Sequence, residues 1–180
     1  LDADARLALE VPELIADAFI GEVLASEGNG NALEIVVASL AIQAGRAADG
    51  DPDSIKSIHQ RAATSLDTDS PNKKSGRKPF HWPLEFPEVF PAGFDAAIGN
   101  PPFVKATSIG EVLGVAYRTY LGATVGRGKK ASYADLCSFF LLRAHSLINL
   151  RGTTGLVATN TISQGDTREM GLDQLFADGF

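Results

Sequence analysis

Apolar residues recur at helical spacing through the first third of the chain. The segments with this spacing are 12–26, 31–47 and 52–66. Apolar side chains three and four positions apart lie on one face of an α-helix. Pro12 suits a first helical turn, Asn31 suits an N-cap, and Asp51-Pro52 suits the start of the third helix. Residues 67–78 are polar and predict a surface loop. The pattern predicts three helices and a loop.

Beyond residue 93, short apolar runs alternate with segments of helical spacing. Ala96-Ala97-Ile98 is brief and bounded by breakers, which is typical of a buried strand, and 154–158 predicts a second strand. The predicted helices are 109–121, 132–148 and 166–176. The last of them is interrupted near Gly171. This order of elements implies a parallel sheet with right-handed crossovers, and hence an α/β fold.

A stiff corner follows the first predicted strand, in the sequence Asn100-Pro101-Pro102-Phe103. Consecutive prolines fix φ, remove two N–H donors and force an extended backbone. The corner therefore presents an amide side chain, unpaired carbonyls and an aromatic ring. Open α/β sheets bind ligands at this carboxyl end of their strands. A proline-rich turn with no chemical role is the alternative interpretation.

This corner suits methyl transfer to a planar amino nitrogen. Such a nitrogen is a poor nucleophile because its lone pair is delocalised. The side-chain oxygen of Asn100 and the carbonyl of Pro101 can accept its two N–H bonds and turn the lone pair toward a methyl donor. Phe103 can stack on the base, as aromatic residues do when a nucleotide leaves the duplex. Positioning and hydrogen bonding carry such a reaction, so no strong general base is required.

Composition restricts the class of protein. The 180 residues include 44% hydrophobic and 21% charged residues, as in an ordinary globular domain. No apolar run reaches the length of a membrane span, and the first residues lack a signal-peptide pattern, which favours a cytoplasmic protein. The single cysteine, Cys137, excludes an internal disulfide and lies in an apolar helical run, which favours a buried thiol. A net charge of −6 argues that any DNA surface is local.

Several other motifs have a structural and a functional interpretation. Gly28-Asn29-Gly30 lies between segments of helical spacing, so a turn is favoured over a nucleotide-binding loop. The segment 80–90 predicts an extended edge. Within it, His81 is interpreted as a packing histidine, because no second metal ligand lies at a useful spacing. The basic loop 126–130 suits either phosphate contact or simple solvation. Ser132 and Asp135 match a capping-box variant.

Three motifs together resemble one family. Asn100-Pro101-Pro102-Phe103 is similar to the catalytic tetrapeptide of amino-group methyltransferases, and of adenine-specific (N6) DNA methyltransferases in particular. The runs 86–90 and 93–102 look like the version found in large methylases of the restriction–modification and phage-defence type. Ala134-Asp135-Leu136 with Phe139-Phe140 resembles the next motif of that family, and 152–160 resembles the strand motif that follows. The resemblance covers 80–168, and the motifs occur in family order.

The resemblance implies a set of roles. Asn100 and Pro101 accept hydrogen bonds from the target amine, Phe103 stacks on the flipped adenine, and Pro102 holds the shape of the loop. Asp135 borders the pocket for S-adenosylmethionine, or acts only as a helix-capping acid. The partner is double-stranded DNA with a flipped adenine, and no metal or membrane is involved. The implied fold is part of a Rossmann-like S-adenosylmethionine-dependent methyltransferase sheet, with an α-helical segment and polar loop over 1–79 and the catalytic part over 80–180.

Other outcomes remain open. The family's glycine-rich cofactor loop is not recognisable, so we expect it upstream, and we expect the target-recognition domain downstream. The same tetrapeptide also resembles that of enzymes acting on a protein glutamine amide or on a guanine amino group in ribosomal RNA. A catalytically inert, truncated module is the hypothesis from a different class.

Overall fold

The computed structural model of the protein describes residues 3–71, 76–128 and 133–180. The structure is mixed α/β, with mostly helices and a parallel pair of strands. The elements in chain order are α1 (Ala3–Ala25), α2 (Gly30–Ala48), α3 (Pro52–Leu66), α4 (Trp82–Glu85), β1 (Phe94–Gly99), α5 (Ala106–Leu113), α6 (Val115–Tyr120), a π-helical turn (Leu121–Val125), α7 (Leu136–Leu147), β2 (Ile148–Leu156), a 3-10 turn (Asn160–Ser163), α8 (Gly165–Met170) and α9 (Leu172–Ala177). Within the described ranges, no helix is both long and apolar enough to cross a lipid bilayer.

The chain divides into two compact units, Leu1–Pro87 and Glu88–Phe180. The sequence placed the start of the catalytic part earlier, at Phe80. The segment 80–87 belongs to the first compact unit, where α4 contacts α1 and the rings of Trp82 and Phe86 stack at 5.8 Å. The predicted start of the catalytic part concerns function rather than compactness and stays a prediction. The prediction of an extended edge over 80–90 is wrong at α4, where Pro83 lies in the first turn of a short helix.

In the helical unit, Leu1–Pro87, α1 packs along α3, and α2 packs against both of these helices. The buried core residues are small or aliphatic: Ala18, Leu40, Ala47, Ile58 and Ala62. Gly21 lets α1 approach α3, because a Cβ there would lie 2.8 Å from the Ser65 Oγ. Two predicted helix starts are wrong. Pro12 lies inside α1 rather than at its start, and the packing of α1 against α3 offsets the helical hydrogen bond that proline cannot donate. The N-cap of α2 is Asn29 rather than Asn31, because the Asn29 side chain accepts from the Ala32 N–H.

The guanidinium of Arg61 joins the helices of this unit. Its Nε donates to the carboxylate of Glu22 on α1. Its Nη2 donates to the carbonyl of Val36 at 3.0 Å, and its Nη1 donates to Oε1 of Gln43 at 3.2 Å, both on α2. Arg61 lies on α3, so one side chain connects all three helices, and its planar fork suits several acceptors at once.

The helix α3 begins as the sequence predicts. Asp51 is its N-cap, and the carboxylate accepts from both the N–H and the hydroxyl of Ser54, while Pro52 occupies the first turn. The hydrogen bond from the Ser54 hydroxyl is the main cause that lowers the pKa of Asp51 below its usual value. This carboxylate therefore stabilises the folded state more when it is ionised than when it is protonated.

We expect this cap to give a pH-dependent melting temperature. Because the folded-state pKa is lowered, the stabilisation is present above the unfolded pKa, about 4, and is lost as the pH falls through the folded value. Asp51→Ala lowers Tm at neutral pH, and its difference from the wild type shrinks below about pH 4. Asp51→Asn keeps an acceptor for the Ser54 N–H and serves as the uncharged control. Thermal melts followed by circular dichroism test this, and a difference between wild type and Asp51→Ala that is independent of pH contradicts it.

In the second unit, β1 and β2 pair in parallel, which confirms the predicted parallel pairing. The helix α7 packs against both strands. The paired positions Ala96 with Thr153 and Ile98 with Gly155 are exposed, whereas Ala97 with Thr154 and Gly99 with Leu156 are half-buried. Ile98 is 87% exposed, so the prediction of a fully buried strand is wrong. Parallel strands are buried only when both faces are covered, and α7 covers one of them.

Glycines explain the other differences in this unit. The predicted helix 109–121 is split between α5 and α6 at Gly114, which has φ of 94°. The strand β2 starts at Ile148, well before the predicted residue 154. Gly152 permits this, because a Cβ there would lie 2.9 Å from the carbonyl oxygen of Phe94. The break near Gly171 is confirmed, since α8 and α9 separate there.

The core of the second unit is formed by α5, the π-helical turn, α7, α8 and α9. Its buried residues are Ile109, Leu121, Ala134, Leu136, Phe139, Leu142, Met170 and Leu175. The helix α7 starts at Leu136, later than the predicted residue 132, and Asp135 occupies the N-cap position. Ser132, the predicted cap, lies outside the described residues. The helix α7 contributes Leu136, Phe139 and Leu142 to this core and contacts both strands.

Candidate active site

The corner Asn100-Pro101-Pro102-Phe103 follows directly on the last residue of β1. Asn100 and Pro102 are exposed, and Pro101 is buried. Phe103 is 56% exposed, although it is a large aromatic residue. Burial of Pro101 anchors the corner in the fold, while the neighbouring side chains remain accessible to a ligand.

Backbone hydrogen bonds hold the corner at its two ends. The Val157 N–H donates to the carbonyl of Gly99 at 3.0 Å, so the sheet ladder continues up to the corner. At the other end, the Val104 N–H donates to the carbonyl of Pro102 at 3.1 Å. Among the described residues, nothing bonds to the side chain of Asn100 or donates to the carbonyl of Pro101. The two predicted acceptors thus keep their hydrogen-bonding capacity, whereas the Pro102 carbonyl is used.

The carboxylate of Asp135 joins the first residue of α5, three residues beyond the corner, to the loop after β2. Its Oδ1 accepts from the Ala106 N–H at 2.9 Å, and its Oδ2 accepts from the Thr161 hydroxyl at 2.8 Å. Its side chain makes no capping bond to α7 within the described part of the chain. The helix-capping role predicted for its side chain is therefore wrong, because the carboxylate is directed to two other segments.

Threonines complete this arrangement at the carboxyl ends of the strands. The hydroxyls of Thr159 and Thr161 lie 2.6 Å apart, and Thr167 Oγ1 accepts from the Asp135 N–H at 3.1 Å. Sequence reasoning missed Thr161 and Thr167. The position of 159–161 after a predicted parallel strand was the available signal for Thr161, because adjacent strand ends meet at one edge. Thr167 lies in α8 and carries no such signal.

Other candidate residues have structural roles. Gly28 lies in the turn between α1 and α2 with φ of 82°, which confirms the prediction of a turn. His81 Nε2 lies 2.7 Å from Asp17 Oδ1. No group of three or more potential metal ligands occurs among the residues that the structure describes. Cys137 is buried, and burial raises the pKa of its thiol, which disfavours a nucleophilic thiolate.

The basic loop contains an arginine that already has a carboxylate partner. Arg127 Nη1 and Nη2 lie 2.9 Å and 2.7 Å from the two oxygens of Asp178. This bidentate pair lowers the pKa of Asp178 and raises that of Arg127. A phosphate at Arg127 would have to compete with Asp178. Lys129 and Lys130 lie outside the described residues, so phosphate contact by the loop stays a prediction.

Comparison with known proteins identifies a family for this chain. The family model described as Eco57I restriction-modification methylase matches residues 25–177. This range contains the corner, Asp135 and both strands. No curated protein and no solved structure matches the chain. Because the family model covers more than half of the sequence, the chain belongs to the Eco57I restriction-modification methylase family.

Proposed function

We propose that the chain carries the catalytic corner of a DNA methyltransferase that modifies the N6 amino group of adenine. The observation that carries this proposal is the pair of acceptors, the Asn100 side chain and the Pro101 carbonyl, that no described residue bonds. They lie at the carboxyl end of a parallel strand, where open α/β sheets bind ligands. Membership of a restriction–modification methylase family supports the same reaction class.

The chemistry follows from the adenine amine. Its nitrogen has two N–H bonds and a lone pair delocalised into the ring. Donation of both N–H groups to Asn100 and Pro101 localises the lone pair and fixes its direction. As the new N–C bond forms, the bond between the methyl carbon and the sulfur of its donor would break with its electron pair going to sulfur, and the nitrogen would release one proton to solvent water. Preorganised acceptors of this kind stabilise the developing charge without reorganisation cost.

Phe103 and Pro102 serve the target base in different ways. The ring of Phe103, which follows the acceptors in the sequence, is exposed, and this suits stacking on an adenine that has left the duplex. Base–aromatic stacking contributes about 1–3 kcal/mol per base. Pro102 fixes the backbone between the acceptors and Phe103, and its carbonyl accepts a hydrogen bond from the Val104 N–H.

The methyl donor of this proposal is S-adenosylmethionine, which when bound supplies an electrophilic methyl group on a sulfonium sulfur. Asp135 is the residue that we place at the border of its site. Each carboxylate oxygen of Asp135 accepts one bond from the chain and retains a second lone pair. The half-buried carboxylate can therefore accept one further bond from an amine or hydroxyl group, which fits such a border.

The wider proposal concerns fold and partner. The parallel pair of strands with α7 on one face is the part of a Rossmann-like sheet that this chain supplies. The partner is double-stranded DNA with a flipped adenine, in a cytoplasmic restriction–modification system. With a net charge of −6, contacts with phosphates would come from local groups such as the loop 126–130.

Methyl transfer with product identification tests the proposal. We expect the protein, expressed from its complete open reading frame, to transfer labelled methyl groups from S-adenosylmethionine to unmethylated DNA. Mass spectrometry of the digested nucleosides should show N6-methyladenine. A methylated cytosine, a methylated glutamine in a protein substrate or a methylated guanine in ribosomal RNA would refute the adenine assignment, and no transfer to any substrate would support the inert module.

A further inference from the structure

The carboxylate of Asp135 bridges two loops that otherwise have separate supports. One loop leaves the corner and enters α5 at Ala106, and the other follows β2 and contains Thr161. Ala106 is 6% exposed, so its N–H has little access to water. Lys105, at the N-cap position of α5, gives no side-chain capping bond within the described ranges. Asp135 therefore supplies the acceptor that the first turn of α5 needs.

The backbone around Asp135 is itself held from two directions. Its N–H donates to Thr167 Oγ1 at 3.1 Å. The next N–H, that of Leu136, donates to the carbonyl of Val104 at 3.0 Å, immediately after the corner. Asp135 and Leu136 thus bind the segment 104–106 through two hydrogen bonds, one from the side chain of Asp135 and one from the backbone of Leu136. This arrangement fixes the exit of the corner relative to α7.

We propose that Asp135 is a positioning residue, which holds the Asn100-Pro101-Pro102-Phe103 corner in register with the loop after β2. This inference rests on the proposed function for its kinetic consequence. The bond to Ala106 fixes where the chain leaves Phe103, and the bond to Thr161 fixes that exit against the neighbouring strand end. A displacement of about 1 Å in an active site can cost about 100-fold in rate.

A substitution by asparagine separates geometry from charge. The amide oxygen of Asp135→Asn accepts from the Ala106 N–H, and its NH₂ donates to Thr161 Oγ1. The Thr161 hydroxyl can then donate to Thr159 Oγ1, which lies 2.6 Å away. Both links survive without the negative charge. A role in binding a cationic cofactor group needs that charge, whereas a positioning role does not.

Kinetics of four variants test the inference in the protein expressed from its complete open reading frame. Asp135→Ala should lower kcat about 100-fold, whereas the Kd for S-adenosylmethionine, from calorimetry, should rise by no more than about tenfold, the effect of one lost hydrogen bond at the border of its site. Asp135→Asn should remain within about fivefold of the wild type, and Thr161→Val should lose about tenfold, the effect of one hydrogen bond. The double variant Asp135→Ala with Thr161→Val should be no worse than Asp135→Ala alone, because both remove the same link.

Asp173→Ala is the matched control. It removes a carboxylate whose contact is an exposed ion pair with Arg168 at 3.0 Å, and we expect an unchanged kcat. Two results would overturn the inference: an equal rise in cofactor Kd in Asp135→Ala and Asp135→Asn, or additive losses in the double variant. If Asp135→Ala does not fold, Asp135→Asn and Thr161→Val still decide the question through kcat and Kd.

A readout independent of activity separates this inference from the proposed function. If the wild-type protein transfers no methyl group, the proposed function fails, and amide hydrogen exchange followed by NMR still tests the bridge. We expect Asp135→Ala to accelerate exchange of the Ala106 N–H at least about tenfold, the effect of one lost hydrogen bond. Asp135→Asn and Asp173→Ala should leave it protected. Unchanged protection in Asp135→Ala would refute the positioning role.

Discussion

Asn100→Ala is expected to lower methyl transfer by about 10²- to 10³-fold, the usual loss when one preorganised hydrogen-bonding group is removed from a reaction centre. The side chain of Asn100 is exposed and has no partner among the described residues, so its removal breaks no internal hydrogen bond. Stability and cofactor binding should therefore be unchanged. Steady-state kinetics with labelled S-adenosylmethionine measure the loss, and calorimetry measures the cofactor Kd.

Two further variants serve as comparisons for Asn100→Ala. Asn31→Ala, an exposed asparagine in α2, should retain wild-type activity. Asn100→Asp keeps an acceptor for one N–H of the amine and should retain more activity than Asn100→Ala. If Asn100→Ala transfers methyl groups at the wild-type rate, the proposed catalytic role of the corner is refuted.

Gly93→Ala is expected to destabilise the second unit by about 3 kcal/mol, because it combines backbone strain with a steric clash. Gly93 has φ of 94°, which L-residues rarely adopt. A Cβ there would lie 2.8 Å from the carbonyl carbon of Ile148 and 2.9 Å from the nitrogen of Asn149. These are backbone atoms at the start of β2, so relief requires moving β1 away from its partner. Urea denaturation followed by circular dichroism measures the loss.

Gly155→Ala is the matched control for this prediction. Gly155 lies in β2, and a Cβ there would meet only Cγ1 of Ile98 at 3.9 Å, an ordinary van der Waals distance. We expect a change within about 0.5 kcal/mol, as for exposed positions in general. Equal denaturation midpoints for Gly93→Ala and the wild type would show that the close approach to Ile148 does not control pairing of the strands.

Local sequence signals predicted the elements that depend on neighbouring residues. The start of α3 at Asp51-Pro52 and the break at Gly171 were predicted because capping, proline and glycine act within one helical turn. The corner after β1 was also predictable, since two prolines dictate their own backbone. The parallel pairing followed from the alternation of strands and helices.

Other predictions failed where distant residues decide the structure. The start of β2 at Ile148 depends on the close approach of Gly152 to Phe94, and the sequence alone suggested only a helix end there. Ile98 is an aliphatic, β-branched residue of the kind that buried strands contain, yet it is exposed because α7 covers the other face of the sheet. Asp135 resembled a helix cap, but its carboxylate is bound by Ala106 and Thr161.

The sequence by itself determined the stiff corner, because its two prolines fix their own backbone, and its place after a strand, because the apolar run 96–98 precedes it. Tertiary structure alone decided which carbonyl of the corner is used, where the carboxylate of Asp135 is directed and which face of the sheet is covered. Those outcomes depend on contacts between segments that are distant in the sequence and come together at the carboxyl ends of the parallel strands, and no local sequence pattern predicts such contacts.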